Sequence, residues 1–428
     1  MNRNVKSFKS EDVSLFKKKL FKWSEKFSTS VYLDSNNYLN RLGNIDTILA
    51  SDPHTKLPFT ENNSLNILDV YVKKTKDWLF GYFSYDLKNE IEDLKSDNNS
   101  AFYLPNLFFF QPKVIWIIKS NRIEAQYLSE FEIDRDWKQI NSIDLSENIE
   151  NEMNVNLEPR LSKEEYQNKI KKILNHIKRG DIYEANYCME WFSENSLINP
   201  EKIYKKLNQI SKTPMSAFFK QNNIYLLSTS PERFIKRTGN KIISQPIKGT
   251  SRRDSNKALD FKLKKDLNAN PKERSENIMI VDLVRNDLSR FSLAGTVKVS
   301  ELCEVYPFKQ VHQMISTVES KIENKLSIVD IIKSTFPMGS MTGAPKVKAL
   351  TIIEDLEVSK RGLYSGALGY IDPSGNFDFN VVIRSLIYDA SNKYLSFHVG
   401  SAITSNSSPE LEYQECLLKA NPMISILK

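Results

Sequence analysis

Cysteine is nearly absent from this chain of 428 residues, and the three present, Cys188, Cys303 and Cys416, stand far apart with no CxxC pair. That spacing excludes a disulfide framework and a thiolate zinc site. Histidine is almost as scarce, with His54, His176, His312 and His398 showing no HExxH spacing. No Gly-rich phosphate loop of the Rossmann or Walker type occurs among the 13 glycines. No apolar run approaches the ~20 residues of a membrane span. Residues 1–19 are polar and charged, without a signal-peptide core. The expected setting is the cytoplasm, with no membrane partner.

What is abundant is dispersed charge. The net charge is +7, from 60 Lys and Arg against 53 acids. A basic nucleic-acid-binding protein would meet that description and would show salt-dependent binding. However, the densest basic stretches, Lys17 to Lys19 and Lys169 to Lys172, fall in amphipathic helical patterns as solvated faces, and no nucleic-acid motif is present. A modest positive field also suits a small anionic substrate. Hydrophobic residues at 40% and aromatics at 11% supply a large core, as one big domain or two interlocked ones.

Residues 134–159, rich in Asn, Glu and Ser, read as a linker or surface crossing. Before them, residues 101–110 and 113–118 are rich in β-formers. After them, Ser162 and Glu165 form a capping box, with Leu161 and Tyr166 as the staple. Tyr166, Ile170, Ile173, Leu174 and Ile177 recur at helical spacing until Gly180. Residues 183–192 then alternate as a strand, with Tyr183, Ala185, Tyr187, Met189 and Trp191 on one face and Glu184, Asn186, Cys188 and Glu190 on the other. Further strands are predicted over 224–229, 234–238, 241–247, 366–371, 377–388 and 394–399, and helices over 271–290, 345–356 and 409–420. Many antiparallel strands interspersed with three or four helices predict an α+β fold.

Gly239-Asn240 marks a hairpin turn. A two-residue loop sets Glu232 opposite Ile247; a three-residue loop or one bulge sets it opposite Lys248. Either register places an acid beside an amine at the open end of the hairpin. A surface ion pair worth roughly 0–1 kcal/mol is one reading. The other is a nucleophile, because Pro231 and Gly249 bracket the pair and Arg252 and Arg253 are expected to depress the lysine's pKa. Two acidic pairs also stand out. Glu273 and Glu276 follow the helix start Asn270-Pro271, and Glu412 and Glu415 follow Ser408-Pro409. Acids near helix N-termini complement the dipole. If the two helices meet, the four carboxylates instead make an all-oxygen site suited to Mg²⁺.

Taken together, the motifs resemble the chorismate-binding family: anthranilate and aminodeoxychorismate synthase components I, isochorismate synthases and salicylate synthases. The likeness runs from about Leu161 to Lys419. It rests on Ser230-Pro231-Glu232, Pro246 to Thr250, Asn270 to Arg274, Val281 to Asp287, Thr342 to Lys346, Tyr364-Ser365-Gly366 and Glu412 to Glu415. Residues 81–86 match more loosely. The resemblance implies large antiparallel sheets packed against each other with surrounding helices, with residues 1–150 as the N-terminal region and 151–428 as the chorismate-binding catalytic region. It makes Glu232 the general acid for the C4 hydroxyl. Glu276 and Glu415 become the main Mg²⁺ ligands, with Glu273 and Glu412 beside them. Tyr364 and Arg384 would hold a substrate carboxylate. Thr250, Ser340, Gly400 and Ser401 would line the same pocket, and His312 would stand near the ring.

Lys248 separates the subfamilies. Aminodeoxychorismate synthases resemble this chain in carrying lysine there, where anthranilate makers usually carry a small residue. The resemblance implies attack of the amine on C2 of chorismate, then displacement of the lysine by ammonia at C4. No Gly-rich cysteine nucleophile with a paired histidine is present, so the implied ammonia source is a separate glutamine amidotransferase subunit. Glu184 departs from the glutamine of amine-using relatives and the lysine of water-using ones. It either takes a proton from the incoming amine or is a paired strand carboxylate. Gly400-Ser401-Ala402 replaces a more glycine-rich pattern, and the tryptophan-feedback motif is degenerate near Leu33-Asp34-Ser35.

Overall fold

The computed structural model describes residues 3–38, 45–129, 132–146 and 153–428. Among them, twenty strands join into one hydrogen-bonded network, and every pairing between strands is antiparallel. The network folds into two layers that share the strand Leu107–Lys119. Up to Phe110 that strand pairs with Leu79–Phe83, and beyond Pro112 it pairs with Arg122–Tyr127. A register shift opposite Pro53 changes which face each side chain takes. Phe108 and Phe110 therefore enter the same core as Ile115 and Ile117.

That inner core lies between the layers, with Val31, Ile48, Phe80, Tyr82, Phe219 and Leu368. Helices cover the outer faces. Val13–Ser24, Lys163–Lys178, Pro200–Ser211 and Pro409–Ile426 pack on one layer; Ser64–Thr75, Pro271–Ser289 and Ile328–Thr335 pack on the other. The α+β architecture of packed antiparallel sheets with surrounding helices is therefore present. Strands from residues 1–150 pair directly with later ones: Thr29–Asp34 with Met215–Gln221, and Leu79–Phe83 with Ala367–Ile371.

Several boundaries differ from expectation, each for a local reason. Residues 133–142 form a helix rather than a linker, because Ile133 and Ile140 are buried and Trp137 stacks on Phe8 at 4.2 Å. Residues 147–152 lie outside the described residues. The β-rich stretches 101–110 and 113–118 resolve into one strand that begins at Leu107. The strand from Lys241 stops at Gln245, where Pro246 offers no N–H, and a new one runs Ile247–Arg252. Residues 377–388 divide into Phe377–Asn380 and Ser385–Asp389, with Arg384 between them at φ 52°. Tyr183 is exposed and precedes its strand, Glu184–Ser193. Among the described residues eleven α-helices appear where three or four were expected, and the last continues through Pro422 to Ile426.

Candidate active site

The strand Glu184–Ser193 has a helix-facing side and an interior side, as its alternation predicts. Ala185, Tyr187 and Met189 join the core beneath the helices, which turns Glu184, Asn186, Cys188 and Glu190 the other way. Glu184 is 1% exposed. Its Oε1 lies 3.2 Å from Lys248 Nζ, and its buried Oε2 has no hydrogen-bond partner among the described residues.

Lys248 arrives on the strand Ile247–Arg252, but neither expected hairpin register forms. Thr238 faces Lys241 as a two-residue turn requires, whereas Arg233 pairs with Gln245 after a bulge on the Arg233–Lys236 side. Glu232 instead takes a hydrogen bond from the Ile247 backbone N–H and another from Ser340 Oγ at 2.6 Å. Burial pushes its carboxyl up to about 7, against the opposing pull of Ser340, Lys248 and Ile247. The expected depression of Lys248 by arginines is reversed. Burial favours the neutral amine, yet Glu184, Glu276 and Glu232 outweigh it and hold Lys248 above the ordinary lysine range. Arg252 and Arg253 point elsewhere, to Asp254 and Asp260. The surface-pair reading also fails, since Glu232 is buried and the Lys248 side chain is only 12% exposed.

The helix Pro271–Ser289 begins as its sequence dictates, with the Asn270 side chain accepting from the N–H groups of Lys272 and Glu273. It carries Glu276 toward Lys248. Burial pushes Glu276 up to about 7, opposed by Lys248 and Lys272 and reinforced by Glu273 and Glu184. Glu273 is raised by burial and feels Glu415 from the last helix. Glu415 pairs with Lys419 at 2.6 Å; that lysine, with Lys248 and Lys272, overcomes burial and lowers its pKa. Glu412 is buried, and its Oε2 has no hydrogen-bond partner among the described residues. Among the described residues, no three His, Cys, Asp or Glu side chains gather closely enough to hold a metal ion.

The remaining predicted residues lie at different depths, and not all of them face this centre. Tyr364 is buried, stacks on His398 at 5.2 Å and lies 4.0 Å from Cys188 Sγ. Arg384 is held below its ordinary value by burial while Tyr364 and Glu415 act to raise it, and its guanidinium makes no hydrogen bond or ion pair among the described residues. Gly400 permits close strand approach: a Cβ there would stand 2.5 Å from Cys188 Sγ. Its carbonyl accepts from Lys419 Nζ at 2.8 Å. Thr250 is exposed. The Ser401 hydroxyl lies 3.2 Å from Tyr166 OH, on the helix-facing side of its strand. His312 Nε2 is 2.9 Å from Asp260, and its buried Nδ1 has no partner among the described residues.

Sequence reasoning passed over Lys419 and Lys272, although each lies four residues from its acid, a spacing that brings side chains together on a helix. It also passed over Asn277, whose amide holds the Lys248 carbonyl at 3.2 Å, and no sequence signal marks it. Leu33, Asp34 and Ser35 line a separate cavity of about 70 Å³ with Tyr38, Met215 and Arg233.

Comparisons with known proteins identify the family and the fold. The model of the chorismate binding enzyme family matches residues 29–425. Aminodeoxychorismate synthase component 1 of Escherichia coli (strain K12) is 33% identical over 348 residues, covering 81% of this chain and 76% of that protein. Anthranilate synthase component 1 of Aquifex aeolicus (strain VF5) is 27% identical over 425 residues, covering 94% and 85%. The crystal structure of anthranilate synthase component I from Streptococcus pneumoniae TIGR4 shares the fold, with a TM-score of 0.78 at 23% identity over 89% of this chain and 92% of that one. With a buried lysine among carboxylates and a family match along nearly its whole length, the chain belongs to the chorismate binding enzymes.

Proposed function

We propose that the chain is an aminodeoxychorismate synthase component I, converting chorismate and ammonia to 4-amino-4-deoxychorismate on the route to p-aminobenzoate and folate. A separate glutamine amidotransferase subunit supplies the ammonia. The observation that carries this reading is the Lys248 amine, withdrawn from solvent at 3.2 Å from Glu184 and electrostatically coupled to the buried Glu232.

The resting charges set the order of events. Lys248 rests as an ammonium and gives its proton to Glu184. The free amine attacks C2 of chorismate, the two conjugated ring double bonds shift to C1=C6 and C4=C5, and the C4 hydroxyl leaves as water with the proton of Glu232. Ammonia then adds at C4, both double bonds shift back, and the lysine nitrogen leaves C2. The new C4 ammonium returns a proton to Glu232, and Glu184 returns one to Lys248. One difficult substitution becomes two easier ones. Glu232 suits the acid role, since a group pushed up to about 7 keeps its proton near neutrality. Arg384 brings a half-buried cation with no protein partner among the described residues, matched to a substrate carboxylate beside Tyr364.

Mg²⁺ is the cofactor of this proposal. The donor chemistry fits, although no three of these carboxylates are gathered among the described residues: Glu273 and Glu276 are raised by burial, which a cation would relieve, and a buried oxygen of Glu412 has no partner among those residues. Glu276 and Glu415 would hold the ion, with Glu273 and Glu412 beside them directly or through water. When bound, it would neutralise and orient the substrate dianion.

Intact-mass measurement with chorismate and Mg²⁺, but without ammonia, tests the covalent route. An adduct is expected on the wild type and not on Lys248→Ala. Undiminished amination by the alanine variant, with no adduct on either protein, would sink it. Anthranilate synthesis is the second reading, favoured by the 94% coverage of this chain in the Aquifex aeolicus comparison. Fluorescent anthranilate plus pyruvate from chorismate and ammonium would establish that reading instead.

A further inference from the structure

Two of the motifs, Val281 to Asp287 and Thr342 to Lys346, take no part in the chemistry above. Both border one turn, the first through Leu283 and the second by following it in the chain. Residues Gly339–Met341 form a single 3-10 turn that carries Ser340. Resemblance places Ser340 on the substrate, but its hydroxyl is already committed, 2.6 Å from Glu232 Oε1, with both residues buried.

We propose that Ser340 is the positioning residue of the acid Glu232: its hydrogen bond fixes the carboxyl and leaves the transferable proton on Oε2. A hydroxyl donating to Oε1 makes that oxygen the acceptor end of the neutral acid, so the proton belongs on the other oxygen. The rest of the turn is built to hold this geometry. Arg361 Nη1 grips the Met341 carbonyl at 2.8 Å, and Nη2 grips the Asn186 carbonyl at 2.8 Å. One guanidinium thus ties the turn to the strand bearing Glu184. Glu357 neutralises Arg361 at 2.7 Å and accepts from Cys188 N–H at 2.9 Å. From the other side, Leu283 closes over Gly339, where a Cβ would stand 2.8 Å from its Cδ2. Lys346 completes the frame, bonded to Asp287 at 2.5 Å and to the Thr335 carbonyl at 3.3 Å.

The charged side chain facing Glu232 is Lys248, on the neighbouring strand. Its other partners, Ser340 and the Ile247 N–H, are neutral. Arg384, on the segment after Val381, acts with Tyr364 and Glu415. The Ser340 hydrogen bond stabilises the ionised carboxylate, so removing it raises the acid's pKa. Amination needs the protonated acid and is lost as pH rises through that value.

The experiment is the pH dependence of chorismate consumption by Ser340→Ala with ammonium and Mg²⁺. The alkaline limb is expected to move to higher pH with the KM for chorismate unchanged. kcat should fall by less than the ~10²–10⁴-fold that a general acid contributes. An unmoved limb with a raised KM would make Ser340 a substrate ligand and overturn the inference. If the variant turns over too slowly, the infrared carboxyl band that disappears in Glu232→Gln can be titrated in the resting protein. A higher midpoint in Ser340→Ala is expected; an unchanged one overturns the inference. The inference rests on Glu232 being the acid. That reading fails separately, if Glu232→Gln aminates chorismate at the full rate.

Discussion

Carboxylates hold Lys248 above its ordinary range against burial, and burial pushes Glu276 up against the pull of Lys248, so each reports on the other's surroundings. Replacing Glu184 by Gln removes the nearest carboxylate from Lys248 and lets burial dominate, lowering the lysine pKa. In Glu184→Gln, the rise of adduct formation with pH should therefore begin at lower pH, read by stopped mass measurements. An unmoved profile would remove Glu184 from the proton path. Glu276 carries the opposite sign. Its folded pKa of about 7 lies above the ~4.3 of an unfolded glutamate, so its contribution to stability falls as pH rises between those values. With metal chelated, Glu276→Gln should match the wild type in acid, gain on it through neutrality and hold a constant advantage above. Urea midpoints across that range would show it, and parallel curves would contradict it.

At the scale of single elements, the Asp287–Lys346 pair joins the end of one helix to the start of another with both side chains almost sealed from water. Lys346→Met leaves Asp287 buried without its cation, at a cost of about 3–5 kcal/mol, and a second change of Asp287 to Leu should recover much of it. A loss below about 1 kcal/mol in urea unfolding would refute the pairing. Elements with strong local signals were legible in the sequence: the Ser162 capping box, the Asn270-Pro271 helix start and the alternation that buries Glu184 all formed as read. The helix at residues 133–142 was hidden because its polar composition masks three apolar contacts made only in the folded chain. The surroundings of Lys248 were illegible for a similar reason. Glu184, Glu232 and Glu276 come from three distant segments, and nothing local announces that their combined field outweighs burial while the two adjacent arginines turn to Asp254 and Asp260.

Across the whole molecule, the two-layer sheet leaves little that can stand alone. The Met215–Gln221 and Ala367–Ile371 strands take hydrogen bonds from Thr29–Asp34 and Leu79–Phe83. A fragment beginning at residue 153 would expose both edges and the inner core. It should be recovered aggregated, or should bind no chorismate, by size exclusion and equilibrium dialysis. A monomeric fragment that binds chorismate would show that the early strands are dispensable. The pairing of Gly81 with Gly369 has a further consequence during synthesis. At ~5–20 residues per second, the first of these strands waits on the order of 15–60 s on the ribosome before its neighbour exists. Throughout that interval Phe80 and Tyr82, both sealed in the finished core, have no sheet partner on that side. The nascent chain thus carries an unpaired apolar strand edge long before the sheet that seals it is complete.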